Sequence, residues 1–300
     1  IPLHRANFSD EYWDRVFKDF LSEHEKGRTP NPDILCNREI KFKSFLDYAL
    51  KIGADLIATG HYASTIDKNG ITYLARAVDL TKDQTYFLHE VNSKEFSKTI
   101  FPLSNMKKDD VRKLAMRLGL VNAEKKDSVG ICFIGERNLK DFLGRFITFK
   151  SGNIKDENNN VIGQHNGALL YTEGQRQGLN IGGVKGKPEL PWYVYKKDIP
   201  NNTIYVCQGG DNELLMSSRV MIDSLHKINN ERLELPFDCY VQVRHLQNPI
   251  LAQLKCENSN YYIDFKQPVR AAAPGQSAVI YKDNICVGGG IISKSFNSIK

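Results

Sequence analysis

Six short runs of β-type residues end this 300-residue chain: SRVMID, CYVQVRH, ILAQLKC, YYIDF, SAVIY and ICVGGGII, spread between residues 218 and 292 with turn formers between them. Strands of that length at regular intervals can satisfy their backbone groups by antiparallel pairing, and closing the sheet removes its exposed edges. An antiparallel β-barrel over residues 212–300 is the expectation. The front reads differently. Between Ser9 and Lys26 the apolar residues Tyr12, Trp13, Val16, Phe17, Phe20 and Leu21 recur at helical spacing, with Ser9 as the expected N-cap and Gly27 as the stop. A second helix is expected from Asn37 to Ile52 and a third from Lys107 to Leu118. The run ADLIATGHY follows the second helix and reads as a strand of a parallel α/β sheet, with Gly60 and His61 at its carboxyl end, where such sheets take ligands. Residues 147–211 are dense in glycine, proline and asparagine around the β runs PWYVYKK and NTIYVCQ, which suggests a small irregular domain. The expected organisation is an α/β domain over 1–146, a central domain over 147–211 and the barrel.

Charge narrows the partners. The net charge is +6, and residues 101–150 hold 11 Lys/Arg against 6 Asp/Glu. A local basic surface of this kind attracts an anionic polymer such as nucleic acid, although solvated helix faces have the same composition. No apolar run reaches the ~18 residues needed to span a bilayer, so a cytosolic protein without membrane association is expected. The six cysteines, at 36, 132, 207, 239, 256 and 286, show no C-x-x-C spacing, which argues against a structural zinc site or a disulfide scaffold. Cys207, Cys239, Cys256 and Cys286 lie in strand-like runs, where a cysteine is ordinarily a buried small hydrophobe. Two depart from that pattern. Cys36, in TPNPDILCNREIKF, sits at the apparent start of a helix, where unpaired N–H groups and the helix dipole favour a thiolate. Cys132 lies between Gly130 and Gly135, close to Lys125, Lys126 and Arg137. Two activated thiols suggest sulfur or disulfide chemistry without naming a substrate.

The blocks GRTPNPDILCNREIKF, IATGHYA, TKDQTYFL, KKDSVGICFIGERN, GQRQGLNIGG, PWYV and PGQSAVIYKDNICVGGGII, in this order from Phe8 to Ile292, resemble the bacterial tRNA-specific 2-thiouridylase family. The resemblance implies an adenine-nucleotide α-hydrolase-like parallel-sheet domain, a small central tRNA-binding domain and a C-terminal antiparallel barrel. It implies ATP- and Mg²⁺-dependent adenylation of the C2 oxygen of the wobble uridine in tRNAs for Lys, Glu and Gln. Sulfur would arrive as a persulfide from an upstream carrier protein. By the same matching Cys132 bears the persulfide and Cys36 is the other catalytic cysteine, the two ending as a transient disulfide. Asn31, Pro32 and Asp33 fall on the target base, with Asp33 the candidate for proton transfer, and Gly60 on the nucleotide. His61, Lys82, Asp83, Gln84, Arg244, His245 and Gln276 fall on tRNA contacts. By composition alone 82–84 reads as a solvated turn, and His245 stands where the family often has tyrosine. No metal-ligating residue is implied within the chain. The family's S-G-G-x-D-S pyrophosphate loop occurs nowhere here, and the chain opens on Ile1. The expectation is therefore that about sixty to seventy residues of the family's first domain precede Ile1 in the native protein, and that this polypeptide alone neither holds ATP well nor adenylates tRNA. A tRNA-binding or sulfur-carrying protein without activation chemistry is the alternative; another ATP-activating enzyme of the same nucleotide fold does not account for DILCN and GICFIGERN together.

Overall fold

The computed structural model describes residues 3–125, 139–184 and 186–297. Helix α1, residues 9–25, is built of three consecutive stretches, Ser9–Tyr12, Trp13–Phe17 and Lys18–Glu25, the middle one π-helical. Its buried stripe of Tyr12, Val16, Phe17 and Phe20 is the one the spacing predicts. Ser9 is the first helical residue rather than the cap; its N–H donates to Asn7 Oδ1 at 3.0 Å. Gly27 ends the helix as expected, at φ +78°, with its N–H on His24 O at 2.8 Å and that of Arg28 on Glu23 O at 3.0 Å.

Helix α2, residues 32–51, joins Pro32–Leu35, a π-helical Cys36–Ser44 and Phe45–Lys51. It begins before the expected Asn37 because Asn31 is the N-cap, its Oδ1 accepting the Asp33 N–H at 3.1 Å, and Pro32 occupies the first helical position. Asparagine followed by proline is a helix start in its own right; the apolar periodicity begins later and hides it. Strand β1 (Ile57–Ala58), the hairpin β2 (Ala63–Lys68) and β3 (Ile71–Arg76), the short helix α3 (Ser93–Phe96) and β4 (Thr99–Ile100) follow. β1 and β4 pair in parallel, Ile57 on Thr99 and Ala58 on Ile100. Helix α4 (Lys108–Arg117) forms where expected but buries no residue, and Leu56, Ile100, Met116 and Leu118 are exposed. Helix α5 (Leu139–Leu143) returns to α1 and α2: Leu143 and Ile147 pack with Val16, Phe17, Phe20, Cys36 and Ile40.

The central sheet consists of β5 (Gly152–Lys155), β6 (Val161–His165), β7 (Trp192–Asp198) and β8 (Thr203–Gln208) in the order β6-β5-β8-β7, with only the β5–β8 pair parallel. Beyond it run β9 (Met216–Ile222), β10 (His226–Lys227), β11 (Phe237–Gln242), β12 (Ile250–Glu257), β13 (Asn260–Arg270), β14 (Ser277–Lys282) and β15 (Ile285–Asn297). The order β14-β11-β12-β13-β9-β15, closed by the β14–β15 pairing, makes a six-stranded antiparallel barrel around Val220, Val241, Leu254, Ile263 and Ile280. Each of the six terminal runs supplies one of its strands. The β2–β3 hairpin was not anticipated. It turns on Asn69 and Gly70, both at positive φ, and joins the barrel through Ala75–Ile285 and Leu74–Cys286. The first domain is thereby stitched to the barrel, and one core cluster runs from Ile34, Phe42 and Leu46 through Leu74 and Tyr86 to Val279 and Tyr281. Among the described residues no helix is long and apolar enough to cross a membrane.

Candidate active site

Residues 27–33 connect α1 to α2, and all three parts of the molecule meet on them. From the barrel, Gln276 Nε2 donates to Thr29 O at 2.6 Å, and Thr29 N–H donates to Pro274 O at 3.1 Å. Asp223 takes Arg28 Nη1 at 2.7 Å, while Arg28 Nε faces Glu23. From the central domain, Thr172 Oγ1 lies 3.2 Å from Thr29 Oγ1, and Lys197 Nζ donates to Gly27 O. Gly275, at φ +91°, leaves room for this approach; a Cβ there would stand 2.6 Å from Thr29 N. The turn Asn31–Pro32–Asp33 therefore leaves a point fixed from two sides. Asp33 Oδ1 is buried with no hydrogen-bond partner.

Cys36 is fully buried in the cluster of α1, α2 and α5. It lies a full turn inside α2, so the free N–H groups of the helix start, on which the sequence argument for a thiolate rested, belong to residues before it. It opens the π-helical stretch instead, a geometry frequent at functional sites. Next to it, Asn37 Nδ2 donates to Phe87 O at 2.9 Å and ties α2 to the 82–87 segment. Cys132, Lys126 and Arg137 lie outside the described residues.

The segment holding Lys82, Asp83 and Gln84 is not a solvated turn. Asp83 is buried; Ala77 N–H donates to its Oδ2 at 2.8 Å, and Thr85 Oγ1 donates to Oδ1. Burial pushes its carboxyl up, against the pull of Thr85, Ala77 and Arg76. Tyr62 N–H donates to Gln84 Oε1 at 2.9 Å. His245 Nε2 lies 3.2 Å from Asp83 O and its ring 4.4 Å from that of Phe87. Burial lowers its pKa, opposed by the hydrogen bond to Asp83 O and the charges of Asp83 and Asp33. Arg244 is spent on the central domain, donating to Glu173 O at 2.6 Å. His61 sits half-buried near Phe42 and Phe101, its Nδ1 2.9 Å from Thr59 Oγ1, and burial lowers its pKa to about 3. Gly60 is exposed at the end of β1, with no atom within 4 Å of a Cβ placed on it. The structure thus brings Asn31, Pro32, Asp33, Cys36, His245 and the 82–84 segment into one region, held by Gln276 and Arg244. Gly60 and His61 stand at the β1 end.

Of the remaining cysteines, Cys207, Cys239 and Cys286 are buried, as expected of strand residues; burial pushes the first two up to about 12 and the third higher. Cys256, expected to be buried with them, is exposed near the end of β12, although it shares the side of that strand with the buried Ala252 and Leu254. Sequence reasoning missed Arg28, Thr172, Lys197 and Asp223. Their partners lie 143 to 195 positions away for all but the Glu23 contact, and no local pattern carries that information.

An α/β domain with a small parallel sheet, a small central β domain and a closed β-barrel, meeting on the turn that leads into the helix of Cys36, define a modular three-part class. Family models agree along the chain: a tRNA methyl transferase HUP domain over residues 1–136, a tRNA methyl transferase PRC-barrel domain over 140–208 and an aminomethyltransferase β-barrel domain over 217–292. The tRNA-specific 2-thiouridylase MnmA of Legionella pneumophila (strain Lens) is 50% identical over 295 residues, which is 98% of this chain and 82% of the relative. The proteins of the same name from Pseudomonas fluorescens (strain SBW25) and Enterococcus faecalis are 50% and 46% identical, over 97% and 100% of this chain and 78% and 81% of theirs. The chain belongs to the tRNA-specific 2-thiouridylase family.

Proposed function

We propose that this protein is a tRNA-uridine 2-sulfurtransferase, replacing the C2 oxygen of the wobble uridine by sulfur in tRNAs for Lys, Glu and Gln. The observation that carries the reading is the Asn31–Pro32–Asp33 turn, capped, clamped by two further domains and leading into Cys36. The matching family models are described by methyl transfer, whereas the relatives are named thiouridylases; the two thiols singled out in this chain, Cys36 and Cys132, serve the second chemistry. The domain limits 1–146, 147–211 and 212–300 belong to this proposal; Leu143 packs on α1 and α2 as the first limit requires, and Ile147, one residue beyond it, joins the same cluster.

The turn receives the uridine, and Asp33, whose Oδ1 has no competing partner, moves the proton that C2 chemistry displaces. ATP, when bound, turns the C2 oxygen into part of a good leaving group, AMP, with release of pyrophosphate. The open backbone at Gly60 fits the edge of an adenine ring. Among the described residues no group of three His, Cys, Asp or Glu side chains could hold a metal ion, so no step is assigned to Mg²⁺. Cys132 accepts a sulfane sulfur from a carrier's persulfide. Its terminal sulfur bonds to C2 as AMP leaves; the Cys36 thiolate then attacks the Cys132 sulfur, freeing 2-thiouridine and leaving a Cys36–Cys132 disulfide that an external dithiol reduces. Release of hydrosulfide by Cys36 before attack on C2 gives the same products. Because Cys36 is covered, the turn must open before it reacts. Mass spectrometry of wobble nucleosides from cells lacking the gene, complemented with the unmodified gene, tests the proposal: 2-thiouridine is lost and restored. Unchanged 2-thiouridine in the deletion strain overturns it and favours a tRNA-binding or sulfur-carrying role.

A further inference from the structure

Lys197 lies in β7, 170 residues from the carbonyl of Gly27 to which its Nζ donates. The contact is tight. Gly27 has φ +78°, and a Cβ there would stand 2.3 Å from Ile199 Cγ1, so the end of β7 sits directly on the end of α1. The carbonyls at a helix C-terminus carry the negative end of its dipole, and an ammonium is matched to them. The charged or titratable groups facing Lys197 are Glu173, on the loop before β7, and His24, on α1; Lys196 also faces Glu173. Burial holds Lys197 down to about 8 and Glu173 up to about 7, so neither is tuned for solvent exposure.

We propose that Lys197 is a positioning residue for the turn Asn31–Cys36, holding it from the central domain through the Gly27 carbonyl. The barrel fixes the next residues through Gln276 and Pro274 on Thr29 and Asp223 on Arg28. Lys197 is the counterpart on the opposite side. It also sets how α1 lies on α2, and the α1 residues Val16, Phe17 and Phe20 cover Cys36. The exposure of the Cys36 thiol therefore reports how firmly the turn is held. The buried Cys207 in β8 and Cys286 in β15 report the central domain and barrel separately.

The experiment compares the full chain with Lys197→Met and Lys197→Arg, by iodoacetamide labelling at neutral pH resolved at each cysteine by mass spectrometry. A charge-assisted hydrogen bond lost at a local opening site changes the open population roughly tenfold or more. Lys197→Met is expected to speed labelling of Cys36 by that factor, with Cys207 and Cys286 unchanged, and Lys197→Arg to keep Cys36 slow. A joint rise of all three cysteines, which marks general loosening, overturns the proposal, as does no rise at Cys36. The kinetic arm rests on the sulfurtransferase reading: Lys197→Met lowers kcat for 2-thiouridine with the KM for tRNA unchanged, and arginine restores it. The kinetic arm uses the product of the complete gene: if labelling behaves as expected but that protein forms no 2-thiouridine, the positioning role stands and the functional reading falls.

Discussion

One buried and one half-buried histidine, one thiol and one carboxylate show what single side chains contribute. Asp33 Oδ1 is buried without a hydrogen-bond partner, at a helix start where Asn31 Oδ1 already accepts the Asp33 N–H, which suits an atom reserved for a substrate proton. Asp33→Asn keeps the shape and removes the base, so 2-thiouridine formation in the full chain should fall by about 10² or more; a rate within twofold of the unmodified chain excludes the role. Cys36→Ser should abolish product, whereas serine at Cys207, Cys239, Cys256 or Cys286 should leave most of it; normal thiolation by Cys36→Ser removes the two-thiol chemistry. His24 and His61 are neutral in the fold because burial lowers them to about 4 and about 3. Unfolded, each binds a proton near pH 6.5, so the unfolded state holds more protons below that pH. Stability is full above about 6.5 and is lost as pH falls toward the folded values, on the order of 2 kcal/mol for His24. Denaturation midpoints followed from pH 7 to 4 should fall less steeply in His24→Phe than in the parent, and equal slopes would refute the assignment.

At the level of elements, the barrel was legible and the junction was not. Period-2 runs separated by turn formers announce strands residue by residue, and all six appear; which strands pair to close the barrel is not local, since β9–β13, β9–β15 and β11–β14 join strands distant in sequence. The Asn69–Gly70 turn was as strong a local signal, but an expected α/β domain offered it no sheet to join; the partner strand β15 lies some 200 positions away. The start of α2 was displaced in the sequence reading because Asn31–Pro32 precedes the apolar stripe. Cys36 consequently seemed to stand at a helix end when it is inside one. The residues proposed for the site, Asn31, Pro32, Asp33 and Cys36, came from the resemblance, whereas the clamps just before them, Lys197 and Asp223 among others, are products of tertiary packing. Gly27 shows both kinds of information. Its role as a helix stop is local, and its contact with Ile199 is not. Gly27→Ala should therefore lower the denaturation midpoint by more than the ~1 kcal/mol of a positive-φ alanine alone, because the Cβ also meets Ile199. Adding Ile199→Ala should recover the steric part; a double variant no more stable than Gly27→Ala would show that the backbone conformation carries the whole cost.

For the whole molecule, the question is how a chain of this size finds a polyanion and presents one base of it to a single turn. The net charge of +6 is modest, and most of the excess falls between residues 101 and 150. In the structure α4 within this stretch places no residue in the core, and Lys113, Arg117 and Lys125 are exposed. This face can meet phosphates: Lys113 makes a loose, exposed pair with Asp110 at 3.8 Å, whereas Arg219, Arg28 and Arg38 are held by carboxylates at closer range. Neutralising a cation that binds phosphate weakens association with all substrate tRNAs alike and removes a released counterion, which lowers the slope of log K against log salt by roughly 0.7 to 0.9 per contact. Lys125 and Lys126 precede Cys132, the thiol proposed to carry sulfur, by seven and six positions in the sequence. Lys125→Gln with Lys126→Gln should weaken tRNA binding at low salt and reduce the slope by about 1.4 to 1.8, while leaving the denaturation midpoint unchanged. The measurement is a titration of the full chain with substrate tRNA across a salt series. Unchanged affinity and slope would assign this charge to solvation alone and move the RNA path to another face; a lower midpoint with an unchanged slope would mean that the two lysines serve the fold.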